Sequence, residues 1–209
     1  KNRYYSIACY AANTDIVLPE FRHVEIPIEL PTKVKRQHDA MFSELQAEFD
    51  SGTVTASNAL VKLLRLQQIT GGAVRLDDEE KYTVIDDSKK NALVDIFEGL
   101  DKKEPVVVFC RFQSDLDAVK DAARLSKKGY FELSGRSRQL ELWQMGDDTP
   151  ILGVQIQAGG TGIDLTKARY CVYFSLGYSL GDYEQSLKRV HRPGQKNSVV
   201  YYHLVAKGT

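Results

Sequence analysis

The second half of the chain carries five short apolar runs. Residues 106–110, Val-Val-Val-Phe-Cys, contain no polar side chain and follow Pro105. A run this short, rich in β-branched residues, predicts a strand buried on both faces, as in parallel sheets. Gly129 to Leu133, Ile151 to Ile156, Tyr170 to Phe174 and Val199 to Val205 are similar runs. Between them the apolar spacing becomes helical. Ser114 to Leu125 aligns Leu116, Val119, Ala122 and Ala123, with Ser114 expected at the N-cap. Ser137 to Met145 and Gly181 to Val190 show the same spacing. Strands alternating with helices at this pace predict an α/β fold: an open parallel sheet flanked by helices, wound right-handedly.

The first hundred residues are patterned differently. Lys33 to Phe49 places Met41, Phe42, Leu45 and Phe49 on one helical face, and Ala56 to Ile69 carries Leu60, Leu63, Leu64 and Leu66 before ending at Gly71-Gly72. The charged stretch Leu76 to Ile85 predicts a short hairpin, and Ser88 to Leu100 leads into the first core strand. The expected division is a mostly helical connector over 1–87 and a sheet-bearing lobe over 88–209.

The 209 residues suffice for one sizeable domain, with or without an appended helical piece. A hydrophobic content of 43% and a charged content of 27% are those of an ordinary globular protein. No apolar run approaches the ~20 residues that span a bilayer, so no membrane partner is expected, and Lys1 to Tyr10 has no apolar core of a signal peptide. The start at Lys1, without Met, predicts a piece of something longer. Cys9, Cys110 and Cys171 are far apart and form no metal-ligand spacing, so no metal site is expected; Cys110 and Cys171 each close or open an apolar run, which predicts buried free thiols and a reducing, intracellular compartment. A formal net charge of +0 leaves room for a local basic stripe that meets nucleic acid.

Three segments carry candidate chemistry. In Gln185-Ser-Leu-Lys-Arg189-Val-His-Arg192-Pro-Gly-Gln195, the residues Gln185, Arg189 and Arg192 are spaced to share a helix face, with Pro193-Gly194 as the stop. Two guanidiniums at a helix end can grip a polyphosphate, being always charged, planar and bidentate. The same spacing also serves a surface helix with salt-bridged arginines. The second segment, Gln155-Ile-Gln157-Ala-Gly159-Gly160-Thr161-Gly162-Ile-Asp164-Leu165, follows a strand and is expected to open a short helix. Its glycines let backbone N–H groups approach a phosphate, Thr161 adds a hydroxyl, and Asp164 can accept from a ribose or hold an arginine. No Lys-[Ser/Thr] follows, so it is not a Walker A loop, and its glycine spacing is wrong for a dinucleotide fold. The third, Arg111-Phe112 after the 106–110 run, is joined by Ser134-Gly135-Arg136 after the next. Such strand-end loops should gather at the carboxyl edge of the sheet and line a phosphate track, although a packed Phe112 and a solvated Arg111 would explain the residues equally well.

These strings resemble a known family. "QAGGTGIDL" followed by "QSLKRVHRPGQ" is similar to motifs V and VI of the SWI/SNF-type helicases of superfamily 2, and "YHLVAKGT" continues the match. "LLRLQQITGG" resembles the family's helix before the second lobe, "PVVVFCRFQSDLDAV" its motif IV, and "LSGR" the segment after it. The resemblance covers roughly residues 25–209 in the right order, and is nearer the bacterial and phage members and the annealing-helicase and single-protein remodeler relatives than the large nucleosome remodelers.

The resemblance implies the second RecA-like lobe of a motor that tracks double-stranded DNA and hydrolyses ATP in a cleft between two lobes. Arg192 would be the arginine finger and Arg189 its partner; Gln185, Gly162 and Asp164 would serve the nucleotide. Arg111, Phe112, Ser134, Gly135, Arg136, Gly159, Gly160 and Thr161 would contact the DNA backbone. Mg2+ would be held by the first lobe, whose Gly-Lys-Thr and Asp-Glu-x-His signatures this chain lacks, so the chain alone should hydrolyse no ATP. Implied partners are duplex DNA and the first lobe; the setting is the cytoplasm of a bacterial or phage-infected cell, or the nucleus of a eukaryote. The sequence departs from the family at Lys188, at Asp164 where Asn is common, and at Ser175 to Gln185, which lacks Trp-Asn-Pro and offers Tyr178 as the aromatic. A strand-separating helicase on RNA or single-stranded DNA, or a degenerate binding module, are the alternative readings.

Overall fold

The computed structural model describes residues 17–75, 81–146, 148, 150–157 and 162–209. In chain order the elements are β1 (Phe21–Ile28), α1 (Thr32–Asp50), α2 (Ala56–Gly71), β2 (Ala73–Arg75), β3 (Tyr82–Val84), α3 (Ser88–Glu98), β4 (Val106–Cys110), α4 (Gln113–Leu125), β5 (Tyr130–Leu133), α5 (Leu140–Met145), β6 (Ile151–Gln155), β7 (Tyr170–Tyr173), α6 (Leu180–Val190) and β8 (Val199–Ala206). Six strands form one parallel sheet in the order β1-β8-β7-β4-β6-β5, and β2 pairs with β3 as a separate antiparallel hairpin. All five apolar runs are strands of the sheet.

The alternation along β4 explains its complete burial. Val106, Val108 and Cys110 face Leu93 and Phe97 of α3 and Leu116, Val119 and Ala122 of α4. Val107 and Phe109 face the other way, among Trp143 of α5, Val190 of α6, and Leu165 and Ala168 of the segment before β7. With helices on both faces, a polar residue on either side of β4 would have no water to meet. A smaller core, Leu45, Ala59 and Leu66, joins α1 to α2. Cys110 and Cys171 are buried free thiols, and burial pushes both up; Cys9 lies outside the described residues.

Four local expectations are corrected. First, β1 lies within the stretch expected to be mostly helical, yet it pairs in parallel with β8 from Phe21↔Val199 to Ile28↔Ala206. Its inward positions Val24, Ile26 and Ile28 alternate with exposed ones, the period-two signal of an edge strand. Second, Ser114 is not the N-cap of α4. That place belongs to Phe112, whose amide donates to the Asp115 carboxylate at 3.0 Å. Third, α5 starts only at Leu140, because residues 134–138 turn back on β5: the Ser134 amide donates to Ser137 O and Leu133 bridges Arg138. Fourth, the described residues 162–169 form turns rather than a helix.

Candidate nucleotide and nucleic-acid site

Parallel strands put Arg111 (after β4), Ser134 to Arg136 (after β5), Gln157 (after β6) and Ser175 to Ser179 (after β7) at the same, carboxyl edge. Polar groups fasten these loops to one another. The Arg111 amide donates to Ser175 Oγ at 2.8 Å, and Ser175 Oγ donates to Asp115 at 2.5 Å. Gln155 donates to Arg111 O at 3.3 Å and accepts from the Gly135 amide at 3.4 Å. Asp115 is 1% exposed, and burial raises its carboxyl against the bonds from Ser175 and Phe112 and the charge of Lys89. The Lys89 ammonium, also buried, donates to Phe174 O at 2.7 Å, and burial pushes it down to about 8. A second link comes from α2, where Gln67 donates to Leu176 O at 3.2 Å.

The edge arginines differ in what they already hold. Arg111 has no carboxylate partner among the described residues; its guanidinium lies 5.5 Å from the Phe112 ring centroid and 6.0 Å from that of Tyr178. Arg136 is engaged: Glu132 at 2.8 Å, Asp117 at 2.5 Å. Burial works to raise Glu132, but hydrogen bonds from Arg136 and Ser134 outweigh it and hold the carboxyl below its usual range. Ser134 is 1% exposed with its hydroxyl on Glu132, whereas Gly135, the rim of Arg136 and Arg138 face solvent.

The other arginines lie at the opposite end of the sheet. Helix α6 starts at the carboxyl edge, capped by Ser179 accepting from the Asp182 amide, and runs back along the sheet, so Arg189 and Arg192 come to the amino edge. Arg192 does not share the helix: α6 ends at Val190, and His191 leaves helical geometry while its Nε2 donates to Pro19 O at 2.7 Å. The residue before a proline avoids α conformation, which accounts for the early stop before Pro193.

Here the glycine-rich and arginine-rich segments meet. The Leu165 amide donates to Arg189 O at 3.0 Å, and Arg192 Nη1 to Ile163 O at 3.4 Å. Gln195, 6% exposed, ties them together by donating to Thr166 O, Ala168 O and Val190 O while accepting from the Lys196 and Asn197 amides. The Thr166 amide and hydroxyl, with the charge of Arg192 beyond them, hold Asp164 below the usual carboxylate range. Neither Arg189 nor Arg192 has a carboxylate within ion-pair distance among the described residues, and Gln185 is exposed on α6. Gly162 has φ +105 with open space where a side chain would stand. Gly159, Gly160 and Thr161 lie outside the described residues. Among those described, no group of three or more His, Cys, Asp or Glu is placed to hold a metal ion, and no helix is long and apolar enough to cross a membrane.

Residues 88–194 match the model of the helicase conserved C-terminal domain, and the chain belongs to that family; its fold is that of a RecA-like lobe. Among its relatives, a phage protein (putative protein p41 of Acyrthosiphon pisum secondary endosymbiont phage 1) is 31% identical over 193 residues, covering 90% of this chain and 41% of the relative. The mouse DNA annealing helicase and endonuclease ZRANB3 is 28% identical over 201 residues, covering 92% of this chain and 17% of the relative. The chain thus spans less than half the length of these relatives. The C-terminal part of the Fun30 ATPase domain superposes with a TM-score of 0.69 at 17% identity, covering 92% of this chain and 87% of that one. A Sulfolobus solfataricus SWI2/SNF2 ATPase core in complex with dsDNA does so at 0.69 and 21%, covering 91% and 42%.

Proposed function

We propose that this chain is the second motor lobe of an ATP-dependent translocase on double-stranded DNA, with the nucleotide at one end of its sheet and DNA at the other. The observation that carries the reading is the division of free arginines: Arg189 and Arg192 share the Gln195-braced corner beside Asp164, while Arg111 stands at the carboxyl edge. Arg192 is the finger that stabilises charge on the transferring phosphoryl group, and Arg189 neutralises the neighbouring phosphate. Both guanidiniums keep most donors unspent, as bidentate phosphate contact requires. Gln185, Gly162 and Asp164 order the nucleotide side of the corner. Mg2+ falls to the first lobe, and the part of this lobe is to offer phosphate-binding cations.

On the DNA side, Arg111 on its aromatic support meets the backbone, with Phe112 and Gly135 beside it, and the sequence adds Gly159, Gly160 and Thr161 as further backbone-contact candidates. Arg136 and Ser134 act through Glu132 to keep their loop in shape. Backbone contacts carry no sequence information, which suits a motor that must pass along any sequence. The domain division of this reading is connector 1–87 and lobe 88–209, with β1 lent to the lobe's sheet.

The test is ATP turnover by the full-length protein without nucleic acid and with duplex DNA, single-stranded DNA or RNA, beside its Arg192→Ala variant. Duplex DNA should stimulate most, and the variant should lose roughly 10³-fold or more of that rate. Stimulation by RNA or single strands alone would assign a strand-separating helicase, and no turnover with any of them a binding module.

A further inference from the structure

A crevice at the carboxyl edge is not accounted for by backbone tracking. Strands β4 and β7 are neighbours, yet their outgoing helices cover opposite faces: α4 packs on Val106 and Val108, α6 beside Val107 and Tyr173. In an open α/β sheet, the place outside the carboxyl ends of two such strands is where ligands bind, because the diverging connections leave a gap between them. Here the gap is a cavity of about 220 Å³, lined among others by Arg111, Gln157, Tyr178, Ser179, Asp182 and Tyr183.

Its chemistry is specific. Tyr178 is 63% exposed, and its ring stands against the Arg111 guanidinium. Gly177 borders the same guanidinium: a Cβ there would lie 2.8 Å from Arg111 Nη1, so the tip of that side chain would have to shift. Tyr183 forms a half-buried wall, with burial pushing its phenol up. Asp182 has no cationic partner among the described residues and offers acceptors to an exocyclic amine; Gln157 offers both a donor and an acceptor. An aromatic face, a hydrogen-bonding edge and an unpaired guanidinium together match a base with its phosphate.

We propose that this crevice takes one unpaired nucleotide of the DNA strand the lobe follows, its base stacked on Tyr178 and its phosphate on Arg111. The inference rests on the reading that the carboxyl-edge loops face DNA. A free nucleotide shares the chemistry; the strand is favoured because Gln155 fastens the Arg111 loop to the Gly135 loop, so that a nucleotide in the crevice is continuous with the backbone track. The shape of a duplex keeps paired bases stacked, so only an unpaired position can enter, at little unstacking cost.

The experiment uses the full-length protein and two duplexes, one fully paired and one with a single unpaired 2-aminopurine. The expected results are quenching of the unpaired probe and about tenfold tighter binding of that duplex, the scale of one base–aromatic stack. Tyr178→Ala should abolish the quench and the preference, and Tyr178→Phe should restore both. Equal affinity for the two duplexes, or a preference untouched by Tyr178→Ala, overturns the proposal. So does Tyr178-dependent binding of deoxyadenosine monophosphate without any preference for the unpaired duplex, which would assign the crevice to a free nucleotide. If the paired duplex neither binds nor stimulates turnover, the motor reading itself fails. If it does both and the preference is missing, only the crevice assignment fails.

Discussion

At the residue scale, the buried charges are the most consequential feature. Lys89 on α3 spends its ammonium on Phe174 O, at the head of the loop that carries Tyr178, and Asp115 holds Ser175 and the Phe112 amide of the neighbouring loop. One buried polar knot therefore sets the positions of both loops around Arg111. Its energetics leave a pH signature. Burial pushes Lys89 from its ordinary 10.5 down to about 8, so between these values the unfolded chain holds a proton that the folded chain has released. The Lys89 contribution to stability therefore rises with pH through about 8 to 10, by an amount on the order of 2–3 kcal/mol, and below that window the group adds no slope. The buried thiols of Cys110 and Cys171, pushed up, act in the opposite direction above about 9, so the contribution is read against a variant. Urea midpoints of the chain should gain on those of Lys89→Met, which keeps the packing against Phe174, as pH rises across the window; a constant difference would remove Lys89 from the account.

At the element scale, the β2–β3 hairpin is joined to α2 through a glycine that cannot be replaced cheaply. Gly72 has φ +90, and a Cβ there would lie 2.2 Å from Asp86 O, while the Ile85 and Asp86 amides both donate to Gly72 O. Gly72→Ala combines left-handed strain with a backbone clash and should cost about 2 kcal/mol or more, a fall in Tm of roughly 4–8 °C. Gly52→Ala is the control. Its φ of +70 gives the same strain, but nothing lies within 4 Å, so a cost near 1 kcal/mol is expected. Calorimetry of the two variants separates clash from strain, and similar Tm values would show that the hairpin yields freely. The hairpin matters for the site because Tyr82 on β3 donates to Asp117, the carboxylate that also holds Arg136.

At the scale of the whole molecule, β1 closes one side of the sheet. It shields the full length of β8, whose Val199, Tyr201 and Leu204 are core residues. Removing residues up to 29 would leave those ladder groups unpaired along an apolar edge, the arrangement most prone to edge-to-edge association. The truncated chain is expected to scatter light in a concentration-dependent way at concentrations where the intact chain elutes as a single sharp species; identical elution would mean that β1 is dispensable. On the proposed reading one element reaches both ends of the lobe: helix α6 spans the sheet, with Ser179 and Asp182 at the crevice and Arg189 at the proposed nucleotide corner.

Much of this was legible along the chain. Continuous apolar runs can be buried only on both faces, which made the parallel sheet readable from Val106 to Cys110 onward, and the two arginine-bearing and glycine-bearing strings marked the corner they now share. The edge strand Phe21–Ile28 was less visible, because half of its positions are polar and its partner lies some 180 residues away in sequence, at Val199–Ala206. Sequence spacing also placed Arg192 on the helix, where Pro193 and the bond from His191 to Pro19 end it first. It could not separate the engaged Arg136 from the free Arg111, since a carboxylate partner is supplied by folding and not by neighbours in the chain. Local pattern and residue type thus determined the five apolar strands and the helices between them, and proposed a kind of chemistry. Which guanidiniums remain free, and which loops meet around Tyr178, was decided only when the sheet brought distant segments together.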